Sequence, residues 1–293
     1  MSFVLSCCST ADMPKSYFQE RDIQYVCFHY QLDDKDLPDD LGESMPFADF
    51  YQAMRDGANT RTSQVSVGEY EEFFEPFLRA GQDILHITLS SGISGTLQSA
   101  LAAQKILQGK YPNRKLIVVD SLNASAGYGL MMDVLADMRD EGKDIEEVAS
   151  WIEENKLRFN AWFFTSDLTF LIRGGRVSKT AGFFGKMLNI CPLLNINFEG
   201  KLIARDKVRT KRKVMQAIVD KMEELADGGK DYTGKVFISN SDCYEDAQAV
   251  ADLLKARFPK MAAVKISDIG TTIGSHTGPG TVAVFFIGAK RVD

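Results

Sequence analysis

The sequence predicts an α/β protein with largely parallel sheets, and three observations carry that prediction. Strand-like apolar runs alternate with helical periodicity along most of the 293 residues, as in strands joined by crossover helices. That length allows roughly two domains with ample core. One stretch shows the repeating unit directly. Ile84, Leu85, Ile87 and Leu89 read as a buried strand, a Ser/Gly cluster follows, and Leu97, Ala100, Leu101 and Ile106 then recur at helical spacing.

Taken in order, the chain opens on a strand at 2–8, where Cys7 and Cys8 act as small buried hydrophobes, and continues with a strand at 23–30. The acidic stretch from Asp33 to Asp40 reads as a surface loop. A helical pattern at 47–56 leads to Asn59-Thr60-Arg61 and Thr62-Ser63-Gln64, a polar loop ahead of a helix at 66–80. Strand 83–89, helix 94–109, strand 115–120 and helices at 124–141 and 144–157 complete an N-terminal domain placed at 1–158. The boundary follows the charged helix from Trp151 to Lys156.

The C-terminal domain, 159–293, begins with a strand at 160–165. An apolar segment (Phe163, Phe164, Leu168, Phe170, Leu171, Ile172) then enters Arg173-Gly174-Gly175-Arg176. Core claims most of these side chains, yet Phe and Met between two α/β layers can also line a long apolar slot. A helix is expected at 179–189. Strands at 192–197 and 201–207 flank Asn197-Phe198-Glu199-Gly200, a hairpin turn. Helices at 209–227 and 244–258 alternate with strands at 234–240, 262–268 and 281–287.

The formal net charge of −6 disfavours a nucleic-acid partner. The basic run Lys207, Arg209, Lys211, Arg212 and Lys213 is the exception; it reads as a solvated strand end and helix start, or as a docking patch. Five cysteines form no C-x-x-C pair and no ligand spacing with the three histidines. No metal or disulfide framework is therefore expected, which fits a reducing compartment. No uninterrupted apolar segment reaches the roughly 20 residues of a membrane span. A cytoplasmic location is expected.

Nucleotide and hydrolase signatures fail on inspection. Gly174-Gly175-Arg176-Val177-Ser178-Lys179-Thr180 ends like a P-loop, but no glycine precedes Lys179. Gly278-Pro279-Gly280 precedes a strand, whereas a dinucleotide fingerprint follows one. Gly92-Ile93-Ser94-Gly95-Thr96 lacks the last glycine of a nucleophile elbow. What remains are three polar clusters. The loop from Ser90 to Thr96 presents hydroxyls and backbone amides at a helix N-terminus, which suits an anion. Ser94 is the expected N-cap, while Gly92 and Gly95 allow close approach to the backbone. Thr62-Ser63-Gln64 is the second cluster. The third, from Ile273 to Gly280, holds His276 in a Gly/Pro-shaped loop, where its imidazole can donate a hydrogen bond to a carboxylate.

The order of these motifs over essentially the full chain resembles the DegV family of fatty-acid-binding proteins. The matching pieces begin with Ser9-Thr10-Ala11-Asp12, Thr62-Ser63-Gln64, and Ser90-Ser91-Gly92-Ile93-Ser94-Gly95-Thr96 with Gln98-Ser99-Ala100. Asp120-Ser121, Gly174-Gly175-Arg176-Val177-Ser178, Pro192-Leu193-Leu194 and Gly274-Ser275-His276-Thr277-Gly278-Pro279-Gly280 follow. The resemblance implies two α/β domains with a ligand slot between them, holding one long-chain fatty acid. It places Ser94, Thr62 and His276 on the carboxylate, with Ser63, Ser91, Gly92, Gly95, Thr96 and Thr277 as neighbouring ligand-binding candidates. It also implies a separate ATP-dependent fatty acid kinase that phosphorylates the bound acid, with no cofactor or metal on this chain. Arg173 and Arg176 are candidates to face the added phosphate, and the basic run a candidate to meet the kinase or an anionic membrane surface.

Two positions depart from the family pattern. Cys8 stands where the family has its first Asp, and Val65 stands where Pro is common. A rival reading is an acyl hydrolase with Ser94 as nucleophile and His276 as base. A third is a small-anion sensor in which the apolar slot is merely core.

Overall fold

The structure, a computed structural model, describes residues 3–178 and 190–292; the helix expected at 179–189 lies outside the described residues. The first half of the chain supplies β1 (Val4–Cys8), α1 (Lys15–Glu20), β2 (Ile23–Val26), β3 (His29–Leu32), β4 (Lys35–Pro38), α2 (Phe47–Arg55) and β5 (Thr60–Ser63). It continues with α3 (Val67–Arg79), β6 (Ile84–Thr88), α4 (Thr96–Lys110), β7 (Leu116–Asp120), α5 (Ala126–Asp140) and α6 (Ile145–Asn155). The second half supplies β8 (Phe159–Phe164), α7 (Thr169–Arg173), β9 (Ile190–Ile196), β10 (Leu202–Arg209) and α8 (Lys211–Leu225). Then come β11 (Lys235–Asn240), α9 (Tyr244–Arg257), β12 (Ala263–Asp268), α10 (Thr271–Thr277) and β13 (Val282–Ile287).

The α/β architecture is the one expected. A four-stranded sheet in the order β2-β1-β6-β7 is parallel throughout. Its central strands β1 and β6 are buried at every residue, as strands covered on both faces must be. Capping boxes start two of its flanking helices: Ser66 with Glu69 opens α3, and Asp144 with Glu147 opens α6.

The second sheet, in the order β10-β9-β8-β13-β11-β12, is mixed rather than parallel. Only β11 and β12, joined by α9, run parallel; β13 enters between β8 and β11 antiparallel to both. Hydrophobic periodicity reports strand and helix but not strand direction, so alternation suggested crossovers that the chain does not make. The hairpin at Asn197–Gly200 joins antiparallel β9 and β10 as expected.

A third, three-stranded antiparallel sheet, β4-β3-β5, corrects three expectations. The acidic stretch is not a loop, because β4 lies within it. The run 23–30 breaks into β2 and β3, which belong to different sheets. Thr62 and Ser63 sit on β5 rather than in a loop. These short strands carry little apolar patterning and are held by ladder bonds to their neighbours.

Helix α5 lies between the layers, packed on β1 of the first sheet and on β8, β11 and β13 of the second. It is buried almost all round, the signature of an interior helix. Gly127 permits the approach, since a Cβ there would stand 2.7 Å from the Phe285 ring. Asp133, fully buried on α5, pairs with Lys235 of β11 and with Arg21 beyond α1, 3.4 Å away. The apolar surface left between the sheets beside α5 is where the cavity opens.

Candidate functional site

A cavity of about 380 Å³ lies between the sheets, within the range of small-molecule sites. Its body is apolar: Leu89, Ile93, Ala161, Phe163, Ile196, Ile273, Ala283 and Phe285 are among the lining residues. Its polar lining comes from elements distant in sequence. Thr62, Ser63 and Gln64 arrive on the end of β5, Ser94 and Gly95 on the loop into α4, His276 and Thr277 on α10, and Arg176 on the turn after α7.

The Thr62 hydroxyl and His276 Nε2 lie 2.8 Å apart, joining β5 to α10. Burial pushes the imidazole down to about 4, and the nearby Arg176 guanidinium pushes in the same direction. His276 is therefore neutral near pH 7, one ring nitrogen donating and the other accepting. Its Nδ1 is buried and has no hydrogen-bond partner among the described residues. That edge rests on Gly174, where a Cβ would stand 2.2 Å from Nδ1. His276 sits on a seven-residue helix, not in the loop the Gly/Pro pattern suggested; Gly274 lies within that helix, and Gly278, Pro279 and Gly280 follow and end it.

Ser94 accepts the Thr96 N–H at 3.2 Å, but it is not the N-cap expected from the sequence: Gly95 holds that position and α4 has no side-chain cap. Among the described residues the Ser94 O–H has no acceptor, which leaves it free to donate into the cavity. Arg176 donates through Nε and Nη2 to the Ile93 carbonyl at 3.2 and 3.0 Å, and through Nη1 to the Gly174 carbonyl at 2.6 Å. It ties the Gly-Gly-Arg turn to the Ser/Gly loop. Burial lowers its pKa.

Of the ten expected ligand residues, Thr62, Ser63, Ser94, Gly95, His276 and Thr277 line the cavity, whereas Ser91, Gly92, Thr96 and Arg173 do not. Ser91 is exposed and its N–H goes to Asp120 at 3.1 Å. Gly92 meets the β9–β10 turn so closely that a Cβ would stand 2.5 Å from the Glu199 carbonyl oxygen. Thr96 is buried behind the loop, its hydroxyl 2.7 Å from that of Tyr70. Arg173 is exposed, with its guanidinium 5.7 Å from the centre of the Phe170 ring. These four support or flank the loops rather than face the cavity.

Ser125 and Thr272 line the cavity without having been expected. Ser125 carries φ 54°, a left-handed conformation that no local pattern announces. Gln64 was visible as part of Thr-Ser-Gln; it donates to Ser99 at 3.0 Å and lies across Gly95, 2.6 Å from where a Cβ would be.

Cys8, in the place of the family's acid, belongs to a buried neutral network. Its Sγ is 3.3 Å from the Tyr70 hydroxyl and 3.8 Å from His86 Nε2, while Ser6 holds His86 Nδ1 at 2.9 Å. Burial pushes the thiol up to about 11 and the His86 imidazole down to about 3. Val65 is fully buried.

Ser94 and His276 share no hydrogen bond among the described residues, and the His276 nitrogen that would need an orienting acid is the unpartnered one. That is not the geometry of a nucleophile and its base. No cluster of three or more His, Cys, Asp or Glu suited to a metal occurs among the described residues. None of the described helices is long and apolar enough to cross a membrane.

The mixed α/β scaffold thus encloses an apolar cavity beneath a hydroxyl–imidazole pair. The DegV family, described as a family of uncharacterised proteins, matches residues 8–289. The chain belongs to the DegV family. A DegV domain-containing protein of Clostridium perfringens is 37% identical over 289 residues, covering 99% of this chain and 98% of that protein. The fatty acid-binding protein of Thermotoga maritima is 32% identical over 278 residues, covering 94% of this chain and 93% of that one. The solved structure of a DegV lipid-binding protein from Thermotoga maritima superposes with a TM-score of 0.85 at 30% identity, covering 99% of this chain and 100% of that one.

Proposed function

We propose that this chain binds one long-chain fatty acid, its tail in the cavity and its carboxylate among Thr62, Ser94 and His276. The observation that carries the reading is the Thr62–His276 pair at 2.8 Å, with Ser94, whose O–H has no acceptor among the described residues, lining the same largely apolar cavity. A buried carboxylate is costly unless hydrogen-bonded, and a neutral imidazole with two hydroxyls offers the needed donors. Each buried methylene adds about 0.8 kcal/mol, so the tail supplies most of the affinity.

We further read the chain as the carrier of a two-protein system, with residues 1–158 and 159–293 as its two domains and a cytoplasmic location. A separate kinase would phosphorylate the carboxylate, and this chain would carry the acyl phosphate. Arg176 is better placed than Arg173 to meet the added charge, because only Arg176 reaches the cavity lining. The basic run near β10 and α8 is the candidate surface for the kinase or for transient contact with an anionic membrane. This reading includes no nucleic-acid partner, metal or cofactor.

Mass spectrometry of ligand extracted from the purified protein tests the reading, together with native mass. One stoichiometric fatty acid is expected. A ligand-free protein that cannot be loaded would refute it and leave Ser94 only its bond to the Thr96 N–H.

A further inference from the structure

Helix α10 brings His276 and Thr277 into the site, yet it has no cap of its own, because Gly270 at the cap position offers no side chain. Its first turn is instead held by two carboxylates from the far end of the chain. Asp12, just after β1, accepts the Gly270 N–H at 3.0 Å. Asp39, just after β4, accepts the Thr271 O–H at 2.9 Å and the Thr272 N–H at 3.4 Å. Both are buried, 3% and 1% exposed.

Two adjacent buried carboxylates are an expensive way to cap a seven-residue helix; one Ser or Asn at position 270 would do it more cheaply. What they add is a connection. Asp39 ends the strand that pairs with β3, and β3 pairs Tyr30 with Thr62 on β5. The Asp39 contacts therefore bolt α10 to the very sheet that carries Thr62. Thr272 precedes His276 by one helical turn, about 6 Å along the axis. Asp12 makes the second connection, accepting the O–H of Ser125, a cavity residue at the start of α5. Burial, and then the charge of Asp39, raise Asp12 well above the carboxylate range; burial raises Asp39 also.

We propose that Asp12 and Asp39 are positioning residues for carboxylate recognition: they fix α10 against the β5 sheet and so hold His276 at bonding distance from Thr62. The proposal rests on the carboxylate reading of the site, and the test separates the two.

Delipidated protein is titrated with palmitic acid and with methyl palmitate, which keeps the tail and removes the anionic head. Asp39→Ala is expected to lose about tenfold in affinity for the acid, the worth of one hydrogen bond to a charged group, and none for the ester. In imidazole nitrogen NMR, His276 in that variant should titrate closer to its ordinary 6.5, while His86 stays near 3. Asp39→Asn, which still accepts the Thr272 N–H, should restore most of the affinity. Thr271→Val removes the Asp39 contact from the helix side and should repeat the selective loss in a milder form, even if Asp39→Ala fails to fold. Equal losses for acid and ester, or an unchanged His276 titration, would overturn the positioning role. A native protein that binds acid and ester alike would overturn the carboxylate reading itself, and the proposal with it.

Discussion

On the proposed fatty-acid reading, Ala161→Leu should shorten the acyl chain that binds best. Thr281, Ala283 and Phe285 all line the cavity, so its wall follows β13 away from α10 and the polar end. Ala161 is the register partner of Phe285, which puts it about 13 Å beyond Thr281 at the usual strand rise. Its small side chain leaves room for the distal part of a tail. Leucine adds three carbons at that point and displaces about three methylenes of ligand. At roughly 0.8 kcal/mol each, the loss is about 2.4 kcal/mol, or fiftyfold in affinity, for an acid long enough to reach Ala161. An acid about three carbons shorter should bind native protein and variant alike. Displacement titrations of delipidated protein with saturated acids of increasing length measure this, with the melting temperature as a control for folding. A loss of the same size at every chain length would refute the assignment of Ala161 to the tail end, as would no loss at any.

Thr62→Val should cost about tenfold to a hundredfold in fatty-acid affinity while leaving methyl-ester affinity unchanged, because it removes a charge-assisted hydrogen bond and keeps the shape. Gly92→Ala should lower stability by about 1–3 kcal/mol, since the new methyl meets Gly200 and Glu199 backbone at 2.5–2.6 Å; an unchanged melting curve would sink that packing argument. Stability of the ligand-free protein should fall as pH drops below about 6.5. His276 and His86 titrate near 4 and 3 when folded but near 6.5 when unfolded, so across that window the unfolded chain holds more protons. Asp12 and Asp39, raised on folding, oppose this slope, so the diagnostic is a difference: His276→Gln should be flatter than native between pH 4 and 6.5. Parallel curves would show that His276 does not titrate as stated. Cys8→Asp should raise the His86 titration and lower stability, because a buried carboxylate would stand beside a ring nitrogen now 3.8 Å from the thiol.

Much of the fold was legible because its main layers are made from strong local signals. Ile84, Leu85, Ile87 and Leu89 mark a buried strand, and helical periodicity marks the stretches that become α3 and α6. The small sheet was not, since Asp36 and Thr60 to Ser63 carry no period and take their structure from neighbours in space. The site divides the same way. Thr62, Ser94 and His276 fell within recognisable motifs, whereas Ser91, Gly92 and Thr96 shared a motif with Ser94 yet face the hairpin turn, Asp120 and Tyr70 instead. Motif membership specifies a loop, and only its path decides which atoms reach the ligand. Ser125 shows the converse, a cavity residue set by a positive φ that nothing local demands.

The electrostatics of the cavity follow from burial more than from the residues that line it. Among the described lining residues Arg176 is the one Lys or Arg, and no Asp or Glu lines the wall. His276 in the wall and His86, Cys8 and Asp12 behind it are pushed toward neutrality: His276, His86 and Cys8 by burial, Asp12 by burial and its acidic neighbour. The fixed fields that remain are the guanidinium and the positive end of α4, a 15-residue helix whose first turn opens at Ser94 and Gly95. Both favour an anion, and neither competes with a counter-charge of the protein's own. A neutral thiol at position 8 fits this arrangement, whereas an ionised carboxylate there would draw a proton onto His86 and set a charge beneath the loop that holds Ser94. On these grounds an anionic head group, as the proposed fatty-acid reading requires, would supply the negative charge that the site otherwise lacks.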